Sequence, residues 1–253
     1  MSVDVELSIV VPVFQEADSL PILWQELAAV LARLDTRAEI IFVDDGSTDG
    51  SAEVIRRLAV KDARIRLLRF AANAGLSAAF HAGFAAARGS IIVTLDSDLQ
   101  NDPADIERLL AALQHADAAV GWRRHRHDSW LKKVSSSVAN RIRNRISGDY
   151  VHDSACSLRA MRADVARALP PYRGMHRFAP TLFRMAGYRV VEVPVGHRAR
   201  RFGRSHFGVR NRMVTAFVDL LVVTWMIDRR LRYDVREDTG SGVAPEPREA
   251  GIP

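Results

Sequence analysis

The feature that most restricts how this chain can fold is a unit repeated along its first hundred residues: a short, apolar, β-branched run, a polar turn and a helix-like stretch. Residues 7–14 (Leu-Ser-Ile-Val-Val-Pro-Val-Phe) end in Gln15-Glu16-Ala17-Asp18-Ser19, after which residues 20–34 carry helical apolar spacing. Residues 39–43 end in Asp44-Asp45-Gly46-Ser47-Thr48-Asp49-Gly50-Ser51 and lead to a helix over 52–60. Residues 65–70 form a third strand, 78–88 a helix of small residues, and 91–95 a fourth strand that stops abruptly at Asp96-Ser97-Asp98-Leu99-Gln100. Asp102 then stands as N-cap of a further helix, with Pro103 at its first position. Runs apolar at every position are those of strands buried on both faces of a parallel sheet. The alternation predicts an α/β, doubly wound, mostly parallel sheet.

In such a sheet, ligands collect beyond the carboxyl ends of the strands. Glu16, Asp44, Asp45, Asp96 and Asp98 are all placed there by the pattern. Asp96, Asp98 and Gln100 make an all-oxygen set suited to a hard divalent cation that keeps waters and bridges a phosphorylated substrate. Asp49 reads as a helix cap. Asp44 and Asp45 read either as caps or as acceptors for a base or ribose. No G-x-G-x-x-G follows the first strand and no G-x-x-x-x-G-K-S/T occurs, so dinucleotide and P-loop sites lose their main support.

Charge narrows the partners. The excess of 36 Lys and Arg over 30 Asp and Glu is uneven: residues 122–147 hold eight basic side chains and one acid, and 194–218 hold six Arg and no acid. Such patches suit phosphates. Nucleic acid is disfavoured, because five strand-tip carboxylates beside the site would repel a phosphate backbone. The single cysteine, Cys156, precludes an intrachain disulfide, and the first residues show no signal peptide, so a cytoplasmic, reducing compartment is expected.

Ordered blocks over roughly 7–210 then resemble the family-2 glycosyltransferases, and among them the polyprenol-phosphate sugar synthases of the dolichol-phosphate mannose synthase type. The blocks include Val10-Val11-Pro12-Val13-Phe14-Gln15-Glu16, Val43 to Ser51, Asn73-Ala74-Gly75-Leu76-Ser77, Ala87-Arg88-Gly89-Ser90, and Asp96 to Gln100 with Asp102-Pro103. Two more resemble that subfamily: His152-Asp153-Ser154-Ala155-Cys156-Ser157-Leu158-Arg159, and His176-Arg177-Phe178-Ala179-Pro180 running on to the basic stretch 193–205. The resemblance implies a glycosyltransferase A-type, nucleotide-sugar-binding domain over 1–210. It also implies a nucleotide-sugar donor (GDP-mannose or a UDP-sugar), Mg²⁺ or Mn²⁺, and a polyprenyl phosphate acceptor, with inversion at the transferred hexose.

Carried over by position, Pro12, Phe14, Glu16, Asp44, Asp45, Asp96 and Arg200 bind the donor, and Asp96, Asp98 and Gln100 hold the metal. Arg123, Lys132, Lys133, Ser136 and Ser137 bind the acceptor phosphate. Asp153 is a candidate base, although an ionised phosphate acceptor needs little help from one, so capping or orienting a loop suits it better. Ser205-His206 departs from the Ser-Lys that relatives carry. A soluble or glycan acceptor, or a catalytically dead scaffold, are the competing readings.

Beyond this domain, residues 213–227 are fifteen in number and interrupted by Asp219. They would span about 22 Å as a helix against a bilayer core of about 30 Å. The expectation is an amphipathic helix within 211–233 that lies on an anionic membrane surface or in a homodimer, with Arg210, Arg212, Arg229, Arg230 and Arg232 beside it. A disordered tail is expected over 234–253. The protein is thus expected at the inner face of the cytoplasmic membrane, attached peripherally.

Overall fold

The computed structural model describes residues 5–123, 151–202, 221–223, 225, 226 and 229. Lys132, Lys133, Ser136, Ser137, Ser205, His206, the tail and most of 211–233 lie outside these.

The first four βα units form as the apolar pattern requires. They are β1 (Leu7–Val13), α1 (Leu20–Leu34), β2 (Ala38–Asp44), α2 (Ser51–Lys61), β3 (Ile65–Arg69), α3 (Leu76–Ala86), β4 (Ile91–Thr94) and, after a 3₁₀ turn at Pro103–Asp105, α4 (Ile106–Ala112). Asp102 caps that turn, its Oδ1 accepting the Ala104 N–H at 3.0 Å. Three further strands follow: β5 (Ala118–Arg123), β6 (Arg159–Arg162) and β7 (Val190–Val195), with α5 (Ala163–Arg167) and α6 (Ala179–Met185) between the last two.

The seven strands form one sheet in the order β3-β2-β1-β4-β6-β5-β7. Only β6 runs antiparallel to its neighbours, β4 and β5, while β7 pairs in parallel with β5. The carboxyl ends of six strands and the amino end of β6 therefore share one edge. From β1 the chain winds outward through β2 to β3, and β4 then returns to the other side of β1. That reversal is the topological switch point, where neighbouring strand ends part and leave a crevice. The β1–β4 register ends at Val10↔Thr94, whereas β1 stays paired with β2 as far as Val13↔Asp44. Leu95 N donates to Val10 O and Asp45 N to Val13 O, so even-numbered residues of β1 face β4. Pro12, without an N–H, thus falls where β4 has already left, and no ladder bond is lost.

Alternate side chains along the strands fill two cores. Ile9, Val11, Val13, Ile40, Phe42 and Val93 pack with Leu20, Leu23 and Leu27 of α1 and Ile55 of α2. On the opposite face, Val10, Ile41, Val43 and Ile92 pack with Phe80 and Phe84 of α3 and with Leu182 and Phe183 of α6. Helix α3 approaches β1 so closely that a Cβ at Gly83 would collide with Val10 Cγ1.

The Ala87-Arg88-Gly89-Ser90 block lies at the edge of the sheet remote from the acids. Buried Glu39 accepts there from Ser8 Oγ (2.7 Å), Arg88 N (2.7 Å), Arg88 Nε (3.0 Å) and Arg66 Nη1 (2.6 Å). Burial raises the Glu39 pKa, but the donors of Arg88, Ser8 and Arg66 outweigh it and hold the carboxyl below its ordinary range. A Cβ at Gly89 would sit 2.7 Å from Ser8 N. This block serves packing.

Candidate active site

The turn after β1 and the turn after β2 are stitched to each other. Gln15 takes φ 58, a left-handed backbone that turns the chain sharply out of β1. Its side-chain oxygen accepts the N–H groups of Thr48 and Asp49, both at 3.1 Å, and its backbone N–H donates to Ser47 Oγ at 3.0 Å. Asp49 answers by accepting from Ala17 N (3.0 Å) and from Ser51 N (3.0 Å), although the N-cap position of α2 itself is Gly50, one residue after the cap expected from the sequence. Glu16 is thereby fixed beside the crevice, with Oε2 accepting from Ser19 Oγ at 2.9 Å.

Asp44 and Asp45, adjacent in sequence, do different jobs. Both oxygens of Asp45 are engaged by the 73–75 turn: Asn73 Nδ2 donates at 2.9 Å, Ala74 N at 2.6 Å and Gly75 N at 2.9 Å. Its carboxylate fixes the entry to α3 rather than facing a ligand. Asp44 Oδ1 accepts from Ser47 N at 2.9 Å, while Oδ2 is ion-paired with Arg69 Nε at 3.3 Å and makes no hydrogen bond. Beside it an open cleft of about 420 Å³ is lined by Gly46, Ser47, Thr48, Arg69, Phe70 and Ala71. Gly46, at φ +75 and with Ala72 and Asn73 backbone atoms 2.7 Å from any Cβ, lets the two loops that form the cleft touch.

At the tip of β4, Leu99 adopts φ 62, which reverses the chain immediately after Asp98. Asp98 Oδ1 accepts from Gln100 N at 3.1 Å and Oδ2 from Arg200 Nη2 at 2.8 Å. The same Arg200 nitrogen lies 3.4 Å from Glu16 Oε1 and so ties the β1 and β4 tips together. The Gln100 side-chain amide donates to the Arg198 carbonyl at 3.5 Å, toward the 196–202 segment. Burial pushes the Asp96 carboxyl up to about 6, the neighbouring Asp98 charge adds to the rise, and a hydrogen bond from Ser157 with the charges of Arg123 and Arg159 opposes it. The two carboxylates sit in a recessed position with Arg200 as the ion-pair partner of Asp98.

The loop entering β6 backs this tip. Thr94 Oγ1 donates to Ser157 O at 2.6 Å and Asn101 Nδ2 to Ser157 Oγ at 2.9 Å. Buried Asp153 holds Arg123 bidentately, with Nε–Oδ2 2.6 Å and Nη2–Oδ1 2.9 Å. Burial disfavours the Arg123 charge, but the Asp153 pair outweighs it and raises the pKa. Asp153 is therefore a positioning carboxylate, not a free base. Arg159, given no role from the sequence, is also buried, donating from Nη2 to Ser154 O (3.0 Å) and His176 O (2.9 Å). The available signal was slight, an arginine at the start of a four-residue strand that also ends on one, Arg162. Ser77 Oγ and His176 Nδ1, 2.8 Å apart, join two further sequence blocks.

From the end of β7 the basic segment crosses the edge. Arg198 is held by Glu26 (2.8 Å) and Asp102 (2.8 Å), and its N–H donates to Gln100 O at 2.8 Å. Arg198 is thus a strut, and Arg200 faces the crevice. Pro12, Phe14, Glu16, Asp96, Asp98, Gln100, Arg123, Asp153 and Arg200 all belong to this edge. Among the described residues, no three His, Cys, Asp or Glu side chains stand together as a ready metal cage. Two carboxylates nevertheless fit Mg²⁺ or Mn²⁺, which take one or two protein carboxylates and complete their shell with waters and substrate phosphate oxygens.

The family model described as "Glycosyl transferase family 2" matches residues 8–169. The chain belongs to this family. It is a glycosyltransferase, and residues 8–169 contain every acidic strand tip described above. Its curated relatives include a dodecaprenyl-phosphate galacturonate synthase of Rhizobium johnstonii, 38% identical over 91% of this chain and 69% of that protein. Another is an undecaprenyl-phosphate 4-deoxy-4-formamido-L-arabinose transferase of Aeromonas hydrophila, 38% identical over 90% of this chain and 70% of that protein. The glycosyltransferase thus spans about two thirds of the length of these relatives. Solved structures with the same fold include a mannosyltransferase from Pyrobaculum calidifontis in complex with GDP-Man and Mn²⁺, with TM-score 0.63, 18% identity and coverage of 92% of this chain and 66% of that one. A glucosyl-3-phosphoglycerate synthase from Mycobacterium tuberculosis in complex with Mn²⁺ and UDP-glucose gives TM-score 0.65 at 17% identity over 88% and 78% of the two chains. These likenesses establish the glycosyltransferase A-type fold.

Proposed function

We propose that this glycosyltransferase moves a hexose, with inversion, from a nucleotide sugar to a polyprenyl phosphate at the cytoplasmic face of the membrane, using Mg²⁺ or Mn²⁺. The observation that carries the reading is the pairing at one sheet edge of an acidic tip, Asp96 and Asp98, with a partly buried cation, Arg123, whose charge acts on Asp96. The first suits a cation and diphosphate, and the second lies on the side from which a phosphate acceptor would approach. The names of the curated relatives support the acceptor class.

In this reading the nucleoside occupies the cleft beside Asp44, and Pro12 and Phe14, at the end of β1 on the same sheet edge, contribute to its binding. Asp96 and Asp98, with Gln100, would hold the metal, which when bound neutralises the departing diphosphate as a Lewis acid. The acceptor phosphate oxygen bonds to the anomeric carbon from the face opposite the diphosphate, and the bond to the diphosphate breaks with its electron pair staying on the leaving oxygen. No proton must be removed from a phosphate monoester already ionised near neutral pH, which agrees with an Asp153 committed to Arg123. Arg123 orients the acceptor, together with Lys132, Lys133, Ser136 and Ser137 from outside the described residues.

Membrane attachment has its own support. The helical residues near 221–226 bury Val223 and pack Met226 on the α3 and α6 core, yet Leu221, Val222 and Trp225 are 51%, 42% and 60% exposed, and Arg229 lies 5.9 Å from the Trp225 ring. Among the described residues no helix is long and apolar enough to cross a membrane. An apolar strip flanked by arginines suits the headgroup region.

A donor panel tests the reading. The full chain, incubated with UDP- and GDP-sugars and either undecaprenyl or dolichyl phosphate, should yield a lipid-linked sugar from at least one pair. Sugar transfer only to soluble acceptors would replace it.

A further inference from the structure

We propose that Arg200 is a resident counter-ion for the acidic tips, so that a divalent cation binds well only once a donor diphosphate has drawn this arginine away. The inference rests on the metal-dependent reading above and adds to it an order of binding. The Arg200 guanidinium lies 2.8 Å from Asp98 Oδ2 and 3.4 Å from Glu16 Oε1, and the other Asp98 oxygen accepts the Gln100 N–H at 3.1 Å. Both oxygens of Asp98 are thus engaged, one of them by a cation that cannot be neutralised. A metal ion reaching Oδ2 has to displace that guanidinium.

Displacement is costly unless the guanidinium finds another anion. Asp98 and Glu16 side chains are only 11% and 8% exposed, so the pair is poorly screened by solvent, whereas Arg200 at 29% has room to move. Its backbone need not move with it. Arg198, two residues earlier, is anchored to Glu26, Asp102 and the Gln100 carbonyl, so a change of side-chain rotamer at Arg200 suffices. A diphosphate lying against the two tips supplies the new partner, and a planar guanidinium takes phosphate oxygens in pairs. Donor and cation then bind with positive coupling: each makes room for the other, and each strengthens the other's binding by the same factor. Without donor the tips are neutralised internally, and the enzyme does not hold metal in a diphosphate-free site.

Mn²⁺ binding to the full chain, measured by electron paramagnetic resonance of the free ion, reads this directly for wild type, Arg200→Met and Arg200→Lys, each with and without UDP or GDP. In the absence of nucleotide, Arg200→Met should bind Mn²⁺ at least about fivefold more tightly than wild type, with Arg200→Lys between them. With nucleoside diphosphate the order should reverse. Unchanged or weaker Mn²⁺ binding by both variants without nucleotide overturns the proposal while leaving the metal site intact. Mn²⁺ that binds no form under any condition overturns the metal-dependent reading itself, and the counter-ion role with it. Arg200→Lys, which keeps the charge, holds the comparison open should Arg200→Met fail to fold.

Discussion

Asp153 shows how a carboxylate beside a reaction centre can be disqualified as a base by its own bonds. Both of its oxygens are taken by Arg123, and nothing in phosphate-monoester chemistry needs a proton removed near pH 7. Asp153→Asn should therefore lower kcat by less than about tenfold and leave the pH–rate profile unchanged, where loss of a general base costs about 10²–10⁴-fold. Its larger effect should be on stability, since the substitution leaves a partly buried guanidinium short of a counter-charge at a cost of about 2 kcal/mol. Asp62 gives a separate, pH-dependent prediction. Its carboxyl is held down to about 2, first by hydrogen bonds from Arg64, against the opposing effect of burial, and then by Trp24 Nε1 at 3.1 Å. A group whose folded pKa is depressed stabilises the protein above its unfolded pKa, near 4, and loses that contribution as pH falls toward 2. Asp62→Asn should cost about 1–2 kcal/mol at pH 7, and denaturation midpoints of the two proteins should converge between about pH 4 and 2.

At the scale of elements, what the sequence reveals and what it hides have physical causes. Strands β1, β2 and β4 were readable because they are buried on both faces and so are apolar at nearly every position, and β3, at the sheet edge, still carries Ile65, Leu67 and Leu68 alongside its arginines. Strand β5 was not: Ala118, Ala119 and Gly121 are small because the sheet packs tightly there, with Cys156 Sγ 2.8 Å from any Cβ at Gly121, and small residues carry little strand signal. Strand β6 opens on Arg159, a charge that composition assigns to the surface and that three-dimensional contacts bury. For the site, Asp96, Asp98 and Glu16 could be placed at one edge from topology alone, whereas Arg200 was reached only through the family resemblance. The division between Asp44 at a cleft and Asp45 locked to Asn73 could not, because it depends on which way each carboxylate turns after the strand ends. Packing of α3 on β1 offers a test at this scale. Gly83→Ala would gain helix propensity of about 1 kcal/mol but places its methyl against Val10, a clash that costs about 1–3 kcal/mol. The stiff Val10 side chain yields little, so the midpoint of thermal unfolding should drop by a few degrees. A rise would mean that α3 can slide off the sheet at no cost.

For the whole molecule, the sheet gathers the site on one edge, and an exposed apolar strip on the same protein suits a lipid surface. The exposed strip of Leu221, Val222 and Trp225 with Arg229 should bind anionic liposomes in flotation, and binding should weaken as salt screens the basic side chains, each of which contributes about 1 kcal/mol at the leaflet. A Leu221→Ser, Trp225→Ser double variant should float poorly with its fold unchanged, and equal flotation of both proteins would assign attachment to another surface. The central claim is that the carboxylates beyond β4 carry the chemistry of transfer to a lipid phosphate. It is tested most directly by measuring polyprenyl-phosphoryl sugar by mass spectrometry for wild type and Asp98→Ala, each with Mn²⁺ and with excess EDTA, alongside their thermal midpoints. The account predicts product only from wild type with Mn²⁺, with at least about a hundredfold loss in the other three samples, equivalent to about 2.7 kcal/mol of transition-state stabilisation, and midpoints within a few degrees of each other. Undiminished product from Asp98→Ala, or from wild type in EDTA, would contradict it.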